Sequence, residues 1–169
     1  EVAKRCAGFD MNIYVVDPFI DREEIEKYGY QVSDKIEGLK LADYISLHLP
    51  LNNKTKNFIS EDEFLIMKDT AIIVNTARGG IIHEKYLERT LKEKKIRGAA
   101  LDVFQIEPPN KDHPIFKLPN VLLSPHNAAL TLECRKRMSI EAAENTIYFL
   151  NKDSKLNSDN IVNKLEIRT

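Results

Sequence analysis

Short β-branched or apolar runs alternate along the chain with charged stretches whose apolar residues recur at helical spacing. Residues 12–17 (NIYVVD) read as a strand, and residues 21–28 (DREEIEKY) as a helix stopped by Gly29. Residues 43–48 (DYISLH) form the next predicted strand. Ser60 then offers an N-cap with Glu63 three positions on, the capping-box pattern for a helix running through Met67. Residues 71–75 (AIIVN) are apolar without alternation, which predicts a strand buried on both faces. A helix is predicted over 83–94, strands over 99–103 and 121–124, and a long helix over 131–150. Residues 1–8 (EVAKRCAG) also read as helical, and the stretch after Asn151 is polar and weakly patterned.

This rhythm predicts an α/β fold, a doubly wound parallel sheet with helices on both faces. Right-handed crossovers put the carboxyl ends of all strands on one edge, where ligands bind. The residues that are unusual for plain surface loops follow strands: Asp17, Pro50, Arg78, Glu107 and His126. The predicted organisation is a dinucleotide-binding domain over 1–126, followed by a helix and tail over 127–169 that pack toward a substrate domain outside this sequence.

Charge changes the picture little. With 25 basic and 26 acidic residues among 169, there is no electrostatic reason to expect nucleic acid or a membrane surface as partner. No apolar run approaches the roughly 20 residues that cross a bilayer. Cys6 and Cys134 lie far apart, fit no metal or redox spacing, and read as reduced thiols in a cytoplasmic protein.

Asp17, at a strand end before Pro18, can accept hydrogen bonds from both ribose hydroxyls of an adenosine and repel a 2′-phosphate, favouring NAD over NADP. The same pattern fits an ordinary surface Asp in a turn. No G-x-G-x-x-G loop is present, yet residues 1–8 resemble the helix that follows one, and Asp17 sits near the place of the acidic residue about 20 positions beyond it. The expectation is a chain that begins just after that loop. Arg78 lies in Asn75-Thr76-Ala77-Arg78-Gly79-Gly80 after a strand. Its guanidinium could clamp a substrate carboxylate with two parallel hydrogen bonds, or simply pair with a surface acid. Glu107 precedes Pro108-Pro109, and His126 follows Ser124-Pro125. A carboxylate beside a histidine stabilises its imidazolium, which can then give a proton to a ketone oxygen or take one from an alcohol. His48 is an intermediate candidate; His83 and His113 read as structural.

Together these blocks resemble the D-isomer-specific 2-hydroxyacid dehydrogenases over residues 1 to about 150. They are Val2-Ala3-Lys4 with Asp17-Pro18, Ala42-Asp43 with His48-Leu49-Pro50-Leu51 and Thr55, the Asn75–Gly80 block, Arg97-Gly98-Ala99-Ala100-Leu101-Asp102-Val103-Phe104, Glu107-Pro108, and Ser124-Pro125-His126-Asn127-Ala128-Ala129. Ala129 departs from the glycine that many members carry. The resemblance implies a Rossmann-like fold. It implies an NAD-dependent oxidoreductase acting on a small 2-hydroxy or 2-oxo acid of the phosphoglycerate, glyoxylate or hydroxypyruvate type, and a homodimer. It implies that Arg78 binds the substrate carboxylate, that His126 is the acid/base, and that Glu107 orients and charges His126. It further implies that Asp17, Pro18, Leu49, Pro50, Thr55, Thr76, Ala77 and Asp102 line the NAD site together with Arg78 and His126, with Asp102 near the nicotinamide amide. Glutamate at 107 argues against formate as substrate, since the formate dehydrogenases of this superfamily carry glutamine there. An NAD-sensing corepressor-like binding protein is the second reading, and a truncated, catalytically silent domain the third.

Overall fold

Every strand pairing in the computed structural model, which describes residues 1–151, is parallel. Parallel neighbours cannot be joined by a tight turn, so helices or long loops must carry the chain back between them. The elements run α1 (Val2–Ala7), β1 (Tyr14–Val15), α2 (Arg22–Glu26), β2 (Gln31–Val32), α3 (Lys35–Leu41), β3 (Tyr44–Leu47), α4 (Glu61–Ile66), β4 (Ile72–Asn75), α5 (Glu84–Lys92), β5 (Gly98–Leu101), a 3-10 turn (Pro114–Lys117), β6 (Val121–Leu123) and α6 (Leu132–Leu150). Strands β3-β4-β5-β6 form one sheet in chain order, and β1-β2 form a second. Register follows directly: Leu47 pairs with Asn75, Asn75 with Leu101, and Leu101 with Leu123. Four strand ends therefore lie side by side, and the loops after them share one edge.

Local chemistry accounts for the helices that flank this sheet. At α4 the Glu63 carboxylate accepts the Ser60 N–H at 2.9 Å, closing the expected capping box. Its other oxygen takes Lys35 of α3 at 2.7 Å. In α5, Leu87, Thr90 and Leu91 are buried at positions i, i+3 and i+4. Glu84 in its first turn and Arg89 and Lys92 in its last match the helix dipole. These faces close on a core that includes Ile59, Ile73, Ile81, Leu87, Leu91 and Ile115.

The chain divides into two compact units. The first is Glu1–His126; the second begins at Asn127. In the second, the Thr131 side chain caps α6 by accepting the Cys134 N–H at 3.1 Å, and no described residue of α6 is buried.

Several expectations need correction. The observed strands are shorter than their apolar runs, because pairing ends before the runs do. Strand β4 is not buried on both faces: Ile73 and Asn75 are buried, while Ile72 and Val74 are only partly covered. Strand β2, helix α3 and the 3-10 turn were not expected. Helix α3 contains Gly38, which weakens a helical pattern, but its Asp34 N-cap accepts the Glu37 N–H at 2.9 Å and starts it firmly. The stretch after Asn151 lies outside the described residues.

Candidate active site

Asn75, the last residue of β4, is almost completely buried, and its amide shapes the loop that follows. Its Nδ2 donates to the Arg78 carbonyl and its Oδ1 accepts the Ala77 N–H, each at 3.0 Å. The turn so formed presents Arg78 outward. The Arg78 guanidinium donates to the Ala77 carbonyl at 2.6 Å and has no acidic partner among the described residues. Gly79 follows, and a Cβ built there would lie 1.8 Å from the Phe104 carbonyl oxygen. Only glycine permits this approach, which joins the loop after β4 to the loop after β5.

Beyond that junction, the Phe104 N–H donates to Glu107 Oε1 at 2.9 Å. The other Glu107 oxygen accepts from His126 Nδ1 at 2.6 Å. The Phe104 N–H, and after it the His126 contact, hold the Glu107 carboxyl below its ordinary range. With Nδ1 facing the carboxylate, Nε2 is the nitrogen left for a ligand. His126 adopts φ of 51°, a left-handed backbone uncommon for a residue with a side chain. A second tie holds the β5 and β6 ends together: Ser124 Oγ donates to buried Asp102 Oδ1 at 2.5 Å.

On the other side of Arg78, the loops after β3 and β4 enclose a cleft of about 650 Å³. Leu49, Pro50, Thr76, Ala77 and Arg78 line it, together with His48 and Leu51. Thr55 is not among its lining residues. Its hydroxyl donates to the Pro50 carbonyl at 2.5 Å and accepts the Asn52 N–H at 2.8 Å, fixing the shape of the loop instead. Asp17 and Pro18 lie past the end of β1, in the smaller sheet; Asp17 Oδ1 accepts the Phe19 N–H at 2.9 Å. The geometry thus unites Glu107 with His126, and Arg78 with four of the expected NAD-lining residues. It leaves Asp17, Pro18, Thr55 and Asp102 outside that cleft. Among the described residues no cluster of His, Cys, Asp or Glu is suited to a metal ion.

The family model for the NAD binding domain of the D-isomer specific 2-hydroxyacid dehydrogenases matches residues 1–128. The chain belongs to this family. It is 49% identical over 145 residues to a D-3-phosphoglycerate dehydrogenase from Methanocaldococcus jannaschii, covering 85% of this chain and 28% of that protein. It is 45% identical over 149 residues to a glyoxylate reductase from Korarchaeum cryptofilum, covering 88% of this chain and 45% of that protein. A solved glyoxylate reductase from Paecilomyes thermophila superposes with a TM-score of 0.80 at 36% identity, covering 88% of this chain and 44% of that one. The chain therefore spans less than half the length of these relatives.

The surface of this NAD binding domain offers features that fit NAD. An acidic acceptor stands past the end of β1 with one carboxylate oxygen unused among the described residues, and an open cleft lies beside the carboxyl ends of β3 and β4. Two residues that shape the site were not singled out by role from the sequence. Asn75 was visible only as a letter in a motif, although a polar residue ending an apolar run is the signal for a loop anchor, and Glu84 contacts the Glu107 loop. His48, the intermediate candidate, lines the cleft.

Proposed function

We propose that the whole protein is an NAD-dependent oxidoreductase that interconverts a small D-2-hydroxy acid and its 2-oxo acid. The observation that carries this reading is the 2.6 Å Glu107–His126 contact at the strand edge that also presents Arg78. NAD, when bound, supplies or accepts the hydride at C2 of the substrate. Arg78 has no acidic partner among the described residues, and its guanidinium is the group offered to a substrate carboxylate. His126 Nε2 gives a proton to the C2 oxygen when the ketone is reduced and takes it back when the alcohol is oxidised. Glu107 holds the ring with Nε2 outward. Asp17 accepts from the ribose hydroxyls. Leu49, Pro50, Thr76 and Ala77 form the wall against which NAD lies, and Thr55 keeps the Pro50 loop in shape. Buried Asp102 secures Ser124 beneath the His126 loop and closes the nicotinamide end.

The substrate class is phosphoglycerate, glyoxylate or hydroxypyruvate; the first two are in keeping with the names of relatives. The protein is a cytoplasmic homodimer in this reading. The two free cysteines agree with a reducing compartment, and exposed Leu132, Met138, Ile140 and Ile147 on α6 offer apolar surface for a second copy. The test is NADH oxidation by the whole protein with glyoxylate, hydroxypyruvate and 3-phosphohydroxypyruvate. At least one is expected to turn over, and His126→Ala to lower kcat by about 10²–10⁴-fold while NADH still binds. No turnover of any 2-oxo acid, or full activity without His126, overturns the reading.

A further inference from the structure

Glu107 is not the only carboxylate that grips the loop after β5. Phe104 and Gln105 present consecutive peptide N–H groups. The Phe104 N–H goes to Glu107, and the Gln105 N–H goes to Glu84 at the start of α5. Each carboxylate uses its second oxygen on a histidine: Glu107 on His126 at 2.6 Å, and Glu84 on His113 Nε2 at 3.4 Å. His113 is itself fixed. Its Nδ1 accepts the Ile115 N–H at 3.4 Å, which places the ring proton on Nε2, facing Glu84. Phe104 packs edge-on against the His113 ring, with centroids 5.9 Å apart. The Glu84–His113 pair is also the more enclosed of the two, with both side chains 19% exposed, against 49% for His126 and 36% for Glu107.

We propose that Glu84, backed by His113, is a positioning residue for the Glu107–His126 pair. The inference rests on the functional reading given above. Glu84 begins the helix that follows the Arg78 loop, so one carboxylate connects the segment carrying the carboxylate-binding arginine to the segment carrying the glutamate. Gly79 against Phe104 makes the same connection through backbone. With Gln105 held, the adjacent Phe104 N–H points at Glu107, and Glu107 presents its free oxygen to His126. The loop from Gln105 to Pro109 is exposed or partly exposed throughout, and without that hold the Glu107 bonds to Phe104 and His126 are left to order it among the described residues. Misplacement of a reacting group by about 1 Å is enough to lower a rate by up to about 10²-fold.

The test uses the whole protein and two readouts: amide hydrogen exchange at Phe104 and Gln105, and steady-state kinetics. Glu84→Ala is expected to open both amides and to lower kcat by about 10–100-fold with little change in KM for NADH. Glu84→Gln keeps both acceptor and reach, and is expected to retain most of the protection at Phe104 and most of the rate. His113→Asn keeps an acceptor near Ile115 but is too short to support Glu84, and is expected to move both readouts the same way by a smaller factor. If Glu84→Ala opens Gln105 alone and leaves Phe104 and kcat unchanged, the proposal is overturned. It is equally overturned if Glu84→Gln is as damaging as Glu84→Ala. Should Glu84→Ala not fold, His113→Asn decides: unchanged exchange and kcat there overturn the proposal. His126→Ala separates the two levels. An undiminished rate in that variant removes the functional reading, whereas a disabled His126→Ala beside a normal Glu84→Ala removes only the brace.

Discussion

Gly79 passes so close to Phe104 that a Cβ at position 79 would lie 1.8 Å from the Phe104 carbonyl oxygen and 2.6 Å from the Gln105 nitrogen. The obstruction is backbone, which cannot rotate aside as a side chain would. Gly79→Ala is therefore expected to separate two catalytic loops rather than merely crowd them. A stability loss of about 1–3 kcal/mol or more follows from forced overpacking. Urea denaturation measures it, and an unchanged midpoint with full activity would refute the close approach.

Glu107→Gln is expected to lower kcat for ketone reduction, because the carboxylate that meets His126 Nδ1 at 2.6 Å and fixes the ring is replaced by an amide. Steady-state kinetics of both proteins checks it; an unchanged kcat contradicts the pairing. The same group predicts an acid limb in stability. Because the folded Glu107 carboxyl titrates below its ordinary range, its contribution is present above about pH 4.3 and lost as pH falls through the folded value. The acid limb is expected to be shallower in Glu107→Gln.

Arg78→Ala is expected to raise KM for the 2-oxo acid and lower kcat together, since the clamp acts in both ground and transition states. Arg78→Lys restores charge but not the planar fork, so rescue is partial. Full recovery by lysine would show that a point charge suffices. NADH affinity, followed by fluorescence titration, separates substrate from cofactor effects.

Asp17 is expected to set cofactor choice. The unaltered protein prefers NAD(H), and Asp17→Ala or Asp17→Arg narrows the gap to NADP(H) by removing repulsion of a 2′-phosphate. Comparing kcat/KM with the two cofactors checks it; equal values before substitution would disprove the role.

Much of this site was legible because its residues follow strands whose apolar runs stand out. Ala71 to Asn75 and Val121 to Leu123 locate Arg78 and His126 within a few positions, and Ser60 with Glu63 announces α4. What escaped has no local signature. Strand β2 is two residues long, too short to show a period. Helix α3 is seven residues long with Gly38 in its middle, which leaves little helical periodicity to read. The contact between Glu84 and His113 joins residues distant in sequence, and neither occurs in a motif that would pair them; only folding the loop after β5 against α5 brings them together.

The left-handed backbone at His126 also narrows the routes by which this position could change over evolutionary time. Asparagine, aspartate and glycine accept that conformation readily, while valine, isoleucine and threonine resist it. A lineage that abandons the chemistry but keeps the domain is thus channelled toward the first group. Asparagine or glycine at this position in an otherwise intact descendant would be the mark of a retired enzyme, and His126→Asn the variant that removes the proton carrier while leaving the turn undisturbed.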